Sequence, residues 1–222
     1  MTSPHRQSIL LASRSRDKAR EIREILTPIL HLDIVTLDDA AIVPDPAESR
    51  IEAYDTFLGN AHAKADYFLR LTRRATIADD SGISVDALEG APGVRSRRFA
   101  QESSVAGFDQ DRANNEQLLR QLQGTPGPQR TAQYTCAAVL HLPDGRRFSA
   151  IGTCSGLILP RPRGDGGFGY DPLFLIPELG LTFGEVSRET KHRRSHRARA
   201  FRALASAVPA AALAAAGRLD EP

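Results

Sequence analysis

Two long segments, residues 132–142 and 146–159, flank the turn sequence Pro143-Asp144-Gly145. An Asp-Gly turn between two such segments is a strong signal for a β-hairpin. The chain must therefore build a sheet that is antiparallel in at least one part. The remaining strands of that sheet have to come from a sequence in which strand and helix patterns alternate.

Strand and helix signals alternate from the first residues onward. Residues 8–12 form a short apolar run typical of a buried strand, and residues 17–26 predict a helix that Pro28 ends. Within residues 52–71, apolar side chains recur at helical spacing at Phe57, Ala61, Ala65 and Phe68. The other predicted elements are strands 31–37, 75–78 and 173–176, helices 109–123 and 195–207, and irregular segments 38–50, 85–98 and 160–171.

The chain has no internal repeat and no linker long enough to divide it. Its 222 residues therefore predict one domain of the α/β class with a mixed sheet. Thr182-Phe-Gly-Glu185 has the spacing of a capping box and predicts a helix start. The Ala-rich tail, residues 209–222, is expected to fray.

Composition excludes several classes of protein. A net charge of +2 gives no global field that would favour DNA or a membrane surface. Two cysteines, Cys136 and Cys154, are too few for a disulfide framework and are expected to be buried and reduced. The first 13 residues hold too short an apolar run for a signal peptide, and residues 203–216 are too Ala-rich for a membrane span. We therefore expect a cytoplasmic protein that binds neither nucleic acid nor membranes.

A pair of carboxylates follows the predicted strand at Asp79-Asp80-Ser81-Gly82. Because burying unpaired charge is costly, we expect this segment to form a turn. Hard oxygen ligands at the end of a strand suit Mg²⁺, with one carboxylate on the metal and the other orienting or deprotonating water. The alternative is a solvated acidic turn capped by Ser81.

Basic residues lie on three separate segments. Lys18 falls in the first turn of the first helix, where backbone amides favour an anion, and Lys64 lies one turn from Asn60. Lys191, His196 and Arg197 come near the C-terminus. A triphosphate requires cations from several segments, although each lysine alone could be a solvated surface charge. The run from Lys191 to Arg197 could also bind nucleic acid, but it has no interleaved aromatic residue.

A glycine-rich segment surrounds Phe168 and leads into Tyr170. Glycines let the backbone approach a ligand closely, and either aromatic ring could stack on a base. The alternative is a flexible loop that connects two strands.

Several of these segments together resemble the Ham1/ITPase family of non-canonical purine nucleotide pyrophosphatases. The resemblance runs from about residue 9 to 204. It rests on Leu11-Ala-Ser-Arg-Ser-Arg-Asp-Lys18, Asn60-Ala-His-Ala-Lys-Ala65, Ala78-Asp-Asp-Ser-Gly-Ile83, Gly90-Ala-Pro-Gly-Val94, Gly167-Phe-Gly-Tyr-Asp-Pro172 and Ser195-His-Arg197. It implies hydrolysis of ITP, dITP and XTP to monophosphate and pyrophosphate. It also implies an elongated, twisted mixed sheet with flanking helices, two lobes around a central nucleotide cleft, and a homodimer.

The resemblance also implies roles for particular residues. Asp80, with Asp79, resembles the catalytic and metal-linked acid, and Glu48 and Glu52 are the candidates for a further Mg²⁺ ligand. The implied substrate-binding residues are Ser13, Ser15, Lys18, Asn60, Lys64, Ser81, Phe168, Gly169, Tyr170, Asp171, Lys191, Ser195, His196 and Arg197. If Arg197 reaches the N7/O6 edge of the base, it would favour hypoxanthine and xanthine over adenine.

The chain departs from the family pattern at four positions. Ser15 stands in place of Asn, Gly59 in place of Glu, Arg95 in place of Tyr and Arg97 in place of a small residue. We expect Ser15 to tune phosphate binding without abolishing it. Two alternatives are a Maf-like pyrophosphatase with pyrimidine preference and a non-catalytic nucleotide-binding protein.

Overall fold

A computed structural model describes residues 8–30, 32–100 and 109–212. Within these ranges the strands are β1 (Ser8–Leu11), β2 (Asp33–Thr36), β3 (Thr76–Val85), β4 (Thr131–His141), β5 (Arg147–Ile158), β6 (Phe174–Ile176) and β7 (Leu181–Thr182). They form one sheet in the order β2-β1-β3-β4-β5-β6-β7. β1 runs parallel to β2 and β3, whereas β6 runs antiparallel to β5 and β7. The predicted α/β class with a mixed sheet is confirmed.

Helices flank the sheet. They are α1 (Arg16–Leu30), α2 (Phe57–Thr72), α3 (Gln110–Gln121), α4 (Arg188–Arg194) and α5 (His196–Ala207), with 3₁₀ turns at Pro46–Arg50, Asp86–Leu88, Gly93–Arg98 and Gly127–Gln129. No helix in the described ranges is long and apolar enough to cross a membrane. The chain divides into two compact units. Unit 1 contains the residues up to Asp80, Cys136–Gly152 and the residues from Arg197 onward, and unit 2 contains Ser81–Thr135 and Thr153–His196.

Unit 1 has two apolar clusters. The predicted stripe of α2 is confirmed, because Ala61, Ala65 and Phe68 are buried in one cluster with strand residues of β1 and β4. The apolar residues of α1 and α5 pack in the other. Strand β3 contributes to both clusters, through Ile77 to the one that contains α1 and through Ala78 to the one that contains α2.

Unit 2 has its own aromatic core. Tyr134, Phe174 and Phe183 pack together, with ring centroids 4.6–6.1 Å apart, and Leu118 and Leu122 of α3 join the same cluster. The long hairpin of β4 and β5 is confirmed. Both cysteines are buried and free, as predicted.

The ends of two helices differ from the predictions. Pro28 lies inside α1, which continues to Leu30, so the prediction that Pro28 ends the helix is wrong. Proline removes one backbone hydrogen bond, to the carbonyl of residue 24, and the helix ends two residues later. The second helix starts at Phe57 and not at Glu52, because the Thr56 hydroxyl accepts a hydrogen bond from the Gly59 N–H and caps it.

Two predicted features of loops were also wrong in part. Thr182 lies in β7, and its backbone N–H donates to the Glu185 carboxylate, so the proposed capping box closes a turn and starts no helix. The next helix, α4, is capped by Ser187. Segment 38–50, predicted to be irregular, contains a 3₁₀ turn with a true capping box from Asp45 and Glu48.

Two predictions fall partly outside the described residues. These are His31 at the start of the strand predicted at 31–37, and positions 213–222 of the tail that was expected to fray. The position of the nucleotide cleft stays a prediction.

Candidate active site

The acidic pair lies inside a strand. Asp79 and Asp80 belong to β3, which runs on to Val85, so the predicted turn at Asp79-Asp80-Ser81-Gly82 is wrong. Asp79 is 0% exposed and Asp80 is 6% exposed. Burial of this kind requires compensating charge, because a carboxylate without a partner would be far more stable in water.

Cations of unit 1 supply this compensation at Asp79. Its Oδ2 atom lies 3.5 Å from Lys18 Nζ and 3.7 Å from Arg197 Nε. Lys64 Nζ donates to the Asp79 backbone carbonyl at 2.8 Å. Cys136 Sγ lies 3.9 Å from the same Oδ2 atom. Three cationic side chains from three helices therefore meet at one residue of the strand.

The pKa values of the two neighbouring carboxyl groups are shifted in opposite directions. Burial alone would raise the pKa of Asp79, but the charges of Lys18 and Arg197 outweigh it and lower that pKa to about 2. Burial also raises the pKa of Asp80, and there the nearby lysines do not fully offset it, so its pKa stays above the ordinary value. Asp79 is therefore a permanent anion, whereas Asp80 has the raised proton affinity that a general base needs.

Helix α2 presents Asn60 and Lys64 to this pair. Their spacing of four residues predicted that they are neighbours on the helix, and the resemblance implied that both belong to the site. Asn60 Nδ2 donates to Asp80 Oδ2 at 2.9 Å, and its Oδ1 accepts from the Tyr54 N–H. Lys64 also forms an ion pair with Glu52. Burial lowers the pKa of Lys64, but the surrounding carboxylates raise it above the ordinary value, so this side chain is charged.

Ser13 and Ser15 lie in the turn that leads from β1 into α1. Ser15 acts as the helix cap, because its Oγ atom accepts from the Lys18 N–H at 3.3 Å and Ser13 Oγ donates to its carbonyl at 3.4 Å. Serine and asparagine are similarly good caps, so the departure at position 15 keeps this local structure.

Arg197 is buried, with 3% exposure, and does not lie free to read a base. Its Nη1 atom is 2.6 Å from Glu21 Oε2, while its Nε atom faces Asp79. Sequence analysis did not single out Glu21. The signal was its position on the buried side of α1, next to Ile22, where a carboxylate requires a cationic partner.

The two candidates for the upstream acidic ligand have different surroundings. Glu48 receives two hydrogen bonds from Arg14, at 2.6 and 2.9 Å, while Arg14 also donates to the carbonyls of Ile42 and Val43. Glu52 instead lies near enough to Asp79 for their charges to interact. The geometry thus separates Glu52, beside the acidic pair, from Glu48, which holds a loop through Arg14.

The acidic pair is where unit 1 offers oxygen ligands to a metal ion. Among residues 8–30, 32–100 and 109–212, no three His, Cys, Asp or Glu side chains are arranged to hold a metal ion by themselves. The buried Oδ1 atom of Asp79 has no hydrogen-bond partner within the same ranges. Such oxygen donors fit an ion that takes one or two carboxylates and completes its shell with water and phosphate oxygens, as Mg²⁺ does.

A second group of predicted residues lies in unit 2. Asp171 Oδ2 accepts from Lys191 Nζ at 2.6 Å and from the Phe168 N–H at 2.9 Å. Lys191 Nζ also lies 4.6 Å from the centroid of the Phe168 ring. Tyr170 is 5% exposed, and its hydroxyl donates to the Ser96 carbonyl, so Phe168 is the better placed of the two rings for stacking.

The other predicted residues of unit 2 have defined positions. His196 stacks on Tyr134, with ring centroids 4.4 Å apart and an interplanar angle of 6°. Ser195 is buried immediately before α5, so the predicted start of this helix is confirmed. Ser81 is half-buried on β3 directly after Asp80. Gly169 contacts Asp111 and Asn115 of α3, which sequence analysis did not single out.

Comparison with known proteins identifies the family. The sequence model of the Ham1 family matches residues 9–207. The chain belongs to the Ham1 family. A dITP/XTP pyrophosphatase of Lactobacillus acidophilus is 42% identical over 209 residues, which cover 93% of this chain and 99% of that relative. A dITP/XTP pyrophosphatase of Thermus thermophilus is 42% identical over 199 residues and is covered to 90%, as is this chain.

Solved Ham1 structures share the fold. The Ham1 protein of Staphylococcus aureus has a TM-score of 0.75 at 33% identity, covering 90% of this chain and 97% of the other. The Ham1 protein of Coxiella burnetii has a TM-score of 0.76 at 30% identity, with the same coverage.

The structure accounts for one further departure from the Ham1 pattern. A Cβ atom at Gly59 would lie 2.9 Å from both Thr56 Oγ1 and Tyr54 Cβ, so glycine is the residue that fits this capped helix start. Arg95 and Arg97 are exposed on the 3₁₀ turn Gly93–Arg98, and the structure gives no reason for their choice.

Proposed function

We propose that this Ham1 protein hydrolyses non-canonical purine nucleoside triphosphates, namely ITP, dITP and XTP, to the monophosphate and pyrophosphate. The observation that carries the proposal is the meeting of Lys18, Lys64 and Arg197 at the buried pair Asp79 and Asp80. Fixed cations beside a carboxylate of raised pKa are what water attack on a polyphosphate requires. The names of the relatives as dITP/XTP pyrophosphatases support the same reaction.

Asp80 is the proposed general base. Its raised pKa gives it a higher proton affinity than an ordinary aspartate, and Asn60 fixes one of its oxygens by a hydrogen bond. It would take a proton from the water molecule that attacks the α-phosphorus in line with the departing pyrophosphate. Lys18 and Lys64 would bind phosphate oxygens, while Asp79 keeps both lysines in place.

Mg²⁺ is the proposed cofactor, held by Asp80 and Asp79 with Glu52 as the further acidic residue. When bound, the ion supplies positive charge that neutralises the departing pyrophosphate. Glu48 is the weaker candidate, since both of its oxygens accept from Arg14. Similar oxygen ligands also bind Mn²⁺.

The remaining parts of the proposal concern the base and the protein's setting. Phe168 would stack on the purine, with Lys191 and Asp171 holding its loop, and this stacking is favourable by roughly 1–3 kcal/mol.

We also propose a homodimer, for which the exposed apolar side chains of Val43 and Tyr54 are available. The two free, buried cysteines support a cytoplasmic location.

A substrate panel tests this function directly. Pyrophosphate release is measured with ITP, dITP, XTP, the standard purine nucleotides and the pyrimidine nucleotides, each with and without Mg²⁺. We expect metal-dependent release that is fastest with the deaminated purines. Faster release from pyrimidine nucleotides would support a Maf-like activity instead, and binding without release would leave a nucleotide-binding protein.

The pH dependence of kcat/KM provides a second test. The base acts only when ionised, so the rate should rise with pH through the pKa of Asp80. kcat/KM reports the free enzyme, and the pKa of the metal-free carboxyl applies there when the Mg²⁺ enters with the nucleotide. Because burial raises the pKa of metal-free Asp80, we then expect the acid limb of the profile to lie above the ordinary aspartate value of about 3.9. Asp79, with a pKa of about 2, stays ionised throughout the profile. A limb at or below the ordinary value would contradict the assignment of Asp80.

A further inference from the structure

Side chains of helix α3 form hydrogen bonds with both backbone polar groups of Gly169, its N–H and its carbonyl. Asp111 Oδ2 accepts from the Gly169 N–H at 2.7 Å, and Asn115 Nδ2 donates to the Gly169 carbonyl at 2.9 Å. The two side chains are four residues apart and therefore share one face of the helix. Gly169 has a φ of +62°, in the left-handed region that glycine populates freely. Two side chains of one helix thus fix a residue with few conformational constraints of its own.

Fixing Gly169 also fixes Phe168, its neighbour in the chain. The Phe168 N–H already donates to Asp171, and Lys191 lies over the ring. With Gly169 held by Asp111 and Asn115, the backbone is tethered on both sides of the Phe168 Cα atom. The direction of the Phe168 ring then depends on α3 as much as on its own loop.

The helix that provides these contacts is itself anchored in unit 2. Leu118 is fully buried in the aromatic core. Asn114 Oδ1 accepts from the Ala100 N–H at 2.8 Å, and its Nδ2 donates to the Arg97 carbonyl at 3.0 Å. Asp111 and Asn115 therefore project from a helix whose own position is determined by packing and hydrogen bonds.

We propose that Asp111 and Asn115 are positioning residues that set the Phe168 ring for stacking on the purine of the substrate. The inference rests on the proposed function and deepens it at the base-binding end. Both residues act through Gly169, so their removal affects how the nucleotide is held and leaves the reacting groups Asp79 and Asp80 unchanged.

Steady-state kinetics with ITP test the role. We expect Asp111→Ala and Asn115→Ala each to raise KM about tenfold, because each variant loses one hydrogen bond to the backbone of Gly169. We expect kcat to stay within about twofold, because neither variant changes Asp79 or Asp80. Asp111→Asn keeps an oxygen that can accept from Gly169 and should restore most of the affinity. Glu116→Gln is the matched control, since Glu116 is exposed on the same helix and pairs with Arg112.

Amide hydrogen exchange gives a readout that does not depend on catalysis. Peptides that contain Gly169 should exchange several-fold faster in both alanine variants than in the wild type, and at the wild-type rate in Asp111→Asn and Glu116→Gln. Unchanged exchange, or a fall in kcat at constant KM, would overturn the positioning role. Should the wild type release no pyrophosphate, the proposed function fails, and the variants are compared by their Kd for ITP, which the positioning role requires to rise about tenfold.

Discussion

Replacing Asp80 by asparagine is expected to lower kcat for ITP by about 10²–10⁴-fold, the usual contribution of a general base. The asparagine amide oxygen can still accept the hydrogen bond from Asn60, so the side chain keeps its place but can no longer take a proton. The stability of the protein should not fall. Because the folded pKa of Asp80 is raised, its ionised form is disfavoured in the folded state, and a neutral amide removes that cost.

The measurement combines pyrophosphate release with a thermal unfolding curve. Asp86→Asn is the matched control, since Asp86 is an exposed aspartate that directly follows β3 and should show wild-type turnover. Turnover within about threefold of the wild type in Asp80→Asn would remove Asp80 from the role of base. A large fall in the unfolding temperature of Asp80→Asn would instead show that the charge of Asp80 stabilises the fold.

The same change at the neighbouring residue should have the opposite effect on stability. Asp79→Asn removes the counter-charge of Lys18 and Arg197 in a fully buried position. Breaking a buried ion pair by removing one partner costs about 3–5 kcal/mol, so we expect a loss of this size in the free energy of unfolding. Urea denaturation at neutral pH measures it.

Acid provides an independent check on Asp79. Its folded pKa is lowered, so its contribution to stability is complete above the unfolded value of about 3.9 and is lost as the pH falls toward about 2. The difference in the free energy of unfolding between the wild type and Asp79→Asn should therefore become smaller as the pH falls through this range. The exposed pair of Asp144 and Arg146 is the control, because Asp144→Asn should change stability by less than about 1 kcal/mol. A similarly small effect at Asp79 would contradict the burial argument.

Local sequence patterns predicted the hairpin, the stripe of α2 and the start of α5. Each of these depends on spacing and turn chemistry within a few residues. The extent of β3 was not predictable in this way, because two adjacent aspartates normally end a strand. They continue it here since Lys18 and Arg197, far away in the sequence, neutralise one of them. Only tertiary contact can supply that information.

The sequence also predicted only part of the candidate site. Lys18, Asn60, Lys64 and Asp80 were chosen from motifs and their spacing, and the fold places them together in unit 1. The resemblance implied that Arg197 binds substrate, and contact with the edge of the base was a conditional suggestion. In the structure Glu21 and Asp79 flank it, because a guanidinium at that depth requires carboxylate partners. Asp111 and Asn115 lack any motif, since their role follows from which backbone groups face α3.

The contacts of Asp79 have a consequence for the entropy of ligand binding. Its side chain lies beside Lys18 and Arg197, and its carbonyl accepts a hydrogen bond from Lys64, so all three cations have a partner within the protein. Long cationic side chains normally lose rotamer freedom when they close on an anion, which weakens the association. If the nucleotide binds at these cations as proposed, that loss occurs during folding, and the affinity depends on Asp79 even where this residue makes no contact with the phosphates.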